Sequence, residues 1–335
     1  MDQIVAKLQS LPVLNGMGEK EITLAVGVVG GAVAATALSH LVCPAKKGAK
    51  KGEEEKKGEE EDKPAQLKER STTASGSLSG AAVYESTAAL NEYFIFHFAK
   101  DEDYMNYSFG PKGALAFPQR CGRICMAMAE KYGAKFDRAL DLGCAVGGST
   151  FEIARGFKEV IGIDFSHNFV KGADYMKENR YIDVHQTMQS AISRQIRVEV
   201  DSAIDRSRTH FEQGDACNLP LAKLGTFDCI LAANLLDRLP DPAKFLSDLK
   251  LLVNSGGIVV LASPYSFLEE YTPKEKWAGG YRKEDGSCVW AQETLKTSLA
   301  PEFQLVAESD EPFLIREHAR KYQYGVSHCT VWRRV

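Results

Sequence analysis

Three aspartates fall where chemistry is done in proteins of alternating strands and helices. Asp141 lies in the apolar run "RALDL", Asp164 ends "VIGID", and Asp215 follows "FEQG". Each carboxylate stands where an apolar stretch gives way to a turn. Such groups accept hydrogen bonds from hydroxyls and amines, and a nucleoside offers two ribose hydroxyls and an exocyclic amine. The turn after Asp141 is "GCAVGGS", in which Gly143, Ala145 and Gly147 are all small. A dinucleotide loop reads G-x-G-x-x-G and places pyrophosphate on a helix N-terminus. Here the order is G-x-x-x-G-G, with Ala145 where a middle glycine would stand and an anion, Asp141, beside the loop.

That arrangement is poor company for pyrophosphate and suits a cationic nucleoside. S-adenosylmethionine carries a sulfonium and an ammonium and no phosphate. The ordered set predicts it as cofactor, with Asp141, Gly143, Ala145 and Gly147 at the loop. Asp164 is expected on the ribose, Asp215 and Ala216 beside the adenine, and Asn234 past the fourth strand. Asp164 alone does not separate the two cofactors, since dinucleotide folds place an acid there too.

The elements that must position these residues follow from periodicity. Segments 84–99 and 114–132 read as helices. Strands are expected at Ala139–Leu142, Val160–Asp164, Thr209–Gln213, Phe227–Ala232 and Gly257–Ala262, with two more near 303–308 and 326–333. Helices are expected at Ser149–Gly156, Asp241–Val253 and Gln292–Leu299, and a longer helical region, a lid or a surface helix, over 167–200. The alternation predicts an α/β fold with a mainly parallel sheet covered on both faces. Ligands of such sheets bind at the carboxyl ends of the strands, where every motif above falls.

The N-terminus is a separate device. The chain has 335 residues and a net charge of −4, and nothing in that charge points to nucleic acid. Residues 22–43 carry no Asp, Glu, Lys or Arg. About 22 residues at 1.5 Å each reach roughly 33 Å, enough to cross a bilayer core. Lys46, Lys47, Lys50 and Lys51 follow, which by the positive-inside rule puts the body on the cytosolic side. The expectation is an uncleaved single-pass anchor in the endoplasmic reticulum or outer mitochondrial membrane. Gly27 and Gly31 form a G-x-x-x-G pair through which two spans could dimerise. Residues 1–21 precede the span; 44–83 form a charged and Ser/Gly-rich tether expected to be disordered; 84–335 form the folded body. The eight cysteines show no zinc spacing and read as reduced thiols.

Further motifs are more distinctive than the loop. "FGPKGALAFPQRC", "VIGIDFSHNFV", "LAANLLDRLPDP", "LASPYSFLEEYTP" and "PFLIREHARKYQY" together resemble the mercaptohistidine N-methyltransferase family, the C-terminal domain of ovothiol synthase. The resemblance runs from about Tyr84 to Arg334. It implies a Rossmann-like class I methyltransferase fold with a seven-stranded sheet. It also implies methyl transfer to an imidazole nitrogen of 5-thiohistidine, the last step towards ovothiol A. The synthase carries a sulfoxide synthase module ahead of this domain. Here an anchor and tether stand in its place, so a partner must supply the thiolated histidine.

The acceptor's chemistry then assigns roles. A neutral imidazole nitrogen already has a lone pair, so alignment and exclusion of water matter more than a strong base. Asn234, Asp237 and Tyr265 are expected at the mouth of the site, to receive an ammonium or a ring N–H. Arg316 or Arg320 is expected to clamp a carboxylate, with Arg238 and His97 as further substrate contacts. The blander readings are a short capped helix for Asp237 and Arg238, a solvated helix face for Arg316, His318 and Arg320, and a core histidine for His97. His167 either edges the ribose or begins a helix. A protein histidine, or a membrane-associated small molecule, is the alternative acceptor; a non-catalytic cofactor-binding scaffold is the alternative class.

Overall fold

The computed structural model describes residues 80–335. The expected span at 22–43 and all but the end of the expected tether lie outside the described residues. Among the described residues no helix is long and apolar enough to cross a membrane. The folded body begins with a 3-10 turn at Gly80–Glu85, a few residues before the expected boundary.

Seven strands form the main sheet: β1 (Arg138–Leu142), β2 (Glu159–Asp164), β5 (Thr209–Gln213), β6 (Phe227–Ala233), β7 (Val253–Ser263), β10 (Phe303–His318) and β11 (Lys321–Arg334). Their order is β10-β11-β7-β6-β1-β2-β5. The five strands β7, β6, β1, β2 and β5 are parallel, and β11 enters antiparallel between β7 and β10. The expected mainly parallel seven-stranded sheet is therefore present. Side chains alternate between two cores. Ala139, Cys229, Leu231 and Val260 pack on one face, and Leu140, Ile161, Ile230 and Val259 on the other. Continuous apolar runs such as "CILAA" follow from having both faces covered.

Among the described residues eight helices accompany the sheet: α1 (Thr87–Phe98), α2 (Asp101–Tyr104), α3 (Phe117–Tyr132), α4 (Gly148–Ile153), α5 (His167–Asn179), α6 (Leu221–Leu224), α7 (Pro242–Leu252) and α8 (Ala291–Leu299). Their ends are written locally. Ser86, Ser166 and Asp241 cap α1, α5 and α7 by accepting backbone N–H groups through their side chains. In α3, Phe117, Cys121, Cys125 and Ala129 recur every four residues and are buried, and Gly133 closes the helix in the left-handed region. The seven described cysteines are unpaired thiols, and all but Cys288 are buried.

Two expectations are corrected. The region 167–200 is not all helix. It is α5 followed by a hairpin of β3 (Tyr181–Gln189) and β4 (Ile192–Glu199). The hairpin buries only Val184, Gln186, Ile196 and Val198, and Arg197 on β4 pairs with Asp183 on β3 at 2.8 Å. So polar a ribbon carries a faint alternation that helical spacing masks. A small ribbon of β8 (Tyr281–Arg282) and β9 (Cys288–Val289) was not expected either. The two C-terminal strands are also far longer than expected. β11 pairs with β7 only over His328–Arg333, so the rest of β10 and β11 projects as a two-stranded arm. "PFLIREHARKYQY" is the end of this arm and not a helix face.

Candidate functional site

The carboxyl ends of β1, β2, β5 and β6 open into a cavity of about 420 Å³. That is within the range of small-molecule sites. One side of it is built from two strand ends. Asp164 accepts the Ala145 N–H at 2.8 Å on one oxygen and the Ser166 N–H at 2.9 Å on the other. Each oxygen keeps a lone pair, enough for two ribose hydroxyls. Burial raises its pKa, against the pull of these backbone donors. Phe165 follows immediately, its ring 59% exposed on the cavity edge although large and apolar. Asp215 and Ala216 face it across the cavity, and Asp215 is fixed by the Cys217 N–H at 2.8 Å. An exposed aromatic between two carboxylates fits an adenosine.

The loop beneath is held to β2 by bonds from the Gly143 and Cys144 N–H groups to the Ile163 carbonyl, at 2.8 and 3.2 Å. Ala145 sits at φ 48°, the left-handed region where a glycine is unstrained. That conformation aims its N–H at Asp164. Gly147 has φ 90°, and a Cβ there would lie 2.8 Å from the Phe211 ring. Gly143 and Ala145 line the cavity, whereas Gly147 does not: it shapes the entry into α4. Asp141 also lies beneath the loop and not on the cavity wall. It is 1% exposed and accepts the Thr150 hydroxyl at 2.7 Å. Burial pushes its pKa up to about 6, against the opposing Thr150 and Ser149 hydroxyls. Its assignment as a cofactor contact is corrected to a support of the loop.

The opposite wall comes from α1, α3 and the C-terminal arm. His97 is 6% exposed, lines the cavity, and accepts the Gly148 N–H on Nδ1 at 3.0 Å. Phe96, Phe117, Phe313 and Ile315 make much of this wall apolar, and Tyr84, Tyr93, Phe169 and Tyr271, all lining the cavity, cluster around the Tyr84 ring. None of these aromatics was singled out from sequence. The density of rings in "YFIFHF" was the available signal, and helical spacing absorbed it as core.

Past β6, Asn234 has φ 53° and lines the cavity. Its Oδ1 accepts the Ser327 hydroxyl of β11 at 2.6 Å, which leaves Nδ2 without a partner among the described residues. Asp237 and Arg238 lie in a 3-10 turn, Leu236–Arg238, and both reach the cavity wall. Asp237 is 1% exposed, and its carboxylate takes the Ser266 N–H at 2.9 Å, the Arg238 guanidinium at 3.0 Å and the Ser263 hydroxyl at 3.3 Å. So saturated a carboxylate orients Arg238 and is not a free base. Arg238 makes its bonds to Asp237 and to the Ser266 carbonyl through Nη1 and lies 4.9 Å over the Tyr271 ring.

Three expected residues are elsewhere. Tyr265, at φ 55°, turns its hydroxyl to His328 Nδ1 at 2.9 Å, and Pro264 takes its place on the wall. Arg316 is buried on the other side of β10. Strand alternation gives Phe313 and Ile315 to the cavity and sends Arg316 to the hairpin, where Nη1 donates to the Thr187 carbonyl at 2.8 Å. Arg320 is exposed at the turn into β11. His318 donates no group to the cavity, and His167 begins α5, its N–H held by Glu85 at 2.9 Å. No group of metal-ligating side chains occurs among the described residues.

No curated protein matches the chain. Among solved structures it is similar to magnesium protoporphyrin IX methyltransferase of Synechocystis PCC 6803 with bound S-adenosylhomocysteine. The identity is 14%, covering 76% of this chain and 97% of that one, with a TM-score of 0.46. It is also similar to an S-adenosylmethionine-dependent methyltransferase of Methanosarcina mazei, at 15% identity over 62% of this chain and 97% of that one, TM-score 0.41. The cyclase SpnF is 18% identical over 76% of this chain and 94% of that one, TM-score 0.45. A family model described as a methyltransferase domain matches residues 116–303, which hold the loop and the strand-end carboxylates. That is more than half of the chain, and the chain therefore belongs to this family, as a class I methyltransferase whose cofactor is S-adenosylmethionine.

Proposed function

We propose that the methyl acceptor is an imidazole nitrogen of 5-thiohistidine, and the product that of the last step towards ovothiol A. The motifs that resemble the mercaptohistidine family support this reading. The observation that carries it is the shape of the acceptor side. It is an aromatic chamber with Arg238 at its mouth, suited to a small planar amino acid rather than a protein loop.

When bound, S-adenosylmethionine supplies an electrophilic methyl group on a sulfonium. The chain's own residues do the rest. Asp164 would hold the ribose hydroxyls, and the Gly143–Ala145 loop would support the cofactor from the cavity wall. Phe96, Phe117, Phe313 and Ile315 exclude water and confine a flat ring. Arg238 has Nε and Nη2 to offer a carboxylate. Asn234 Nδ2 donates towards the substrate sulfur, which occupies the softer nucleophile and leaves the ring nitrogen to be alkylated. No protein base is required, because the attacking lone pair exists in the neutral ring.

The test is mass spectrometry of the full-length chain incubated with S-adenosylmethionine and 5-thiohistidine. A gain of one methyl group on nitrogen is expected. No product overturns the substrate; a methyl on sulfur keeps 5-thiohistidine as the substrate but overturns both the nitrogen acceptor and the assignment of Asn234.

We further propose that residues 22–43 anchor the enzyme with its body in the cytosol, and that a sulfoxide synthase supplies the substrate. Gly27 and Gly31 would then be the contact of a dimer. Release of the chain from membranes by alkaline carbonate would overturn the anchor.

A further inference from the structure

His97 has an unusual constraint. A backbone N–H can only donate, so the 3.0 Å bond from Gly148 N makes Nδ1 an acceptor that bears no hydrogen. A neutral imidazole then carries its one hydrogen on Nε2. The tautomer is set by the main chain. Nε2 has no partner among the described residues, while the ring lines the cavity. Tyr93 stacks on the ring at 5.9 Å and Phe96 meets it edge-on at 5.5 Å, so the ring is held in place. The protein therefore presents one oriented ring N–H in a wall made largely of Phe96, Phe117, Pro118, Phe313 and Ile315, with the Ser149 hydroxyl turned to Asp141.

The ligand group it meets follows from the layout. Gly148 is the residue directly past the cofactor loop. A cofactor with its ribose on Asp164 and its adenine towards Asp215 would have its amino-acid end directed the other way, towards α1 and α3. A carboxylate reaching that wall finds His97 as its hydrogen-bond donor. We propose that His97 is a fixed Nε2–H donor that reads the carboxylate of an amino-acid group in the cavity. The carboxylate belongs either to the methionine portion of the cofactor or to an amino-acid acceptor, and the second source rests on the acceptor proposed above. Burial holds the ring's pKa down at about 3, so it neither charges nor loses its donor under assay conditions. With Nδ1 occupied by the Gly148 N–H and Nε2 bearing the hydrogen, His97 is a binding residue and not a base.

Two side-chain replacements separate the two nitrogens. His97→Asn puts an oxygen where Nδ1 lies, which keeps the Gly148 bond and removes the distal donor. His97→Gln puts an amide N–H near Nε2. Each variant is titrated calorimetrically with S-adenosylhomocysteine and with 5′-methylthioadenosine, which lacks the amino-acid portion. If the cofactor supplies the carboxylate, His97→Asn weakens S-adenosylhomocysteine about tenfold or more, leaves 5′-methylthioadenosine unchanged, and His97→Gln restores most of the loss. If the acceptor supplies it, both titrations are unchanged and the KM for 5-thiohistidine rises about tenfold, with the same rescue. Unchanged binding of both ligands together with an unchanged KM overturns the proposal. So does an equal loss for both nucleosides, which would mark a purely structural role. If the wild-type chain does not turn over 5-thiohistidine, the acceptor reading fails while the nucleoside comparison still decides this one. Should His97→Asn not fold, His97→Gln decides alone: loss of the preference for S-adenosylhomocysteine over 5′-methylthioadenosine overturns the proposal, and its retention supports it.

Discussion

Asp164 works on two sides at once. Its oxygens hold Ala145 N–H and Ser166 N–H and still face the cavity. Hydrogen bonds to a charged group contribute about 1.5–3 kcal/mol each. With two ribose hydroxyls at stake, Asp164→Ala should weaken S-adenosylhomocysteine by roughly a hundredfold or more in calorimetric titration; unchanged affinity would refute the ribose assignment. Tyr265→Phe should keep kcat/KM within about twofold, because the hydroxyl faces His328 and not the substrate. A tenfold fall would return the phenol to the site. The difference between these residues explains what sequence can show. Asp164 was legible because a strand-end acid after an apolar run has one place to go. Tyr265 and Arg316 were not. The side-chain direction of Tyr265 hangs on a backbone at φ 55°, and that of Arg316 on which strand parity the arm adopts.

Among the elements, the cofactor loop and the β3–β4 hairpin mark the two extremes of legibility. The loop's small residues announced close packing, and the structure gives the reason at Gly147. A methyl group there would meet Phe211 at 2.8 Å, on a backbone of φ 90°. Gly147→Ala should lower stability by roughly 1–3 kcal/mol, read from urea denaturation. The hairpin is held differently. Gln186 is fully buried, donates to the Asp103 carbonyl at 3.0 Å, and accepts from Arg194 Nε at 2.8 Å. Gln186→Ala strands both partners and should cost about 1–3 kcal/mol in the same experiment. If stability is unchanged, the hairpin is not docked on α2 as described. One buried glutamine in a polar ribbon has no periodicity to betray it, which is why the segment read as helix.

For the whole molecule, the order of strands and helices along the chain was enough to foresee the parallel sheet and its ligand-binding end. The insertion of β11 between β7 and β10 was not, since nothing local tells a C-terminal strand which neighbour it will join. One global property follows from the buried loop support. Asp141 has a pKa of about 6 in the fold against an ordinary 3.8. The native state then binds the proton more tightly than the unfolded chain. This contribution to stability is full below about pH 4 and is lost as pH rises through 6. The loss amounts to about 3 kcal/mol by pH 7. Asp141→Asn, which keeps an oxygen for Thr150, should thus gain stability over the cofactor-free wild type at pH 7.5 and little at pH 4. Parallel denaturation curves at the two pH values would contradict the buried-charge account. The entry of the chain into the fold has a mechanical consequence. The Ser166 hydroxyl donates to the Tyr84 carbonyl at 3.1 Å, the Asn168 amide to the Glu85 carbonyl at 2.6 Å, and Ser166 N–H to Asp164 at 2.9 Å. A load applied to the chain at Gly80 would reach the Asp164 corner through these three bonds. The N-terminal entry of the fold is thus tied to the same corner whose carboxylate faces the cavity, and a change in one is carried to the other through Ser166.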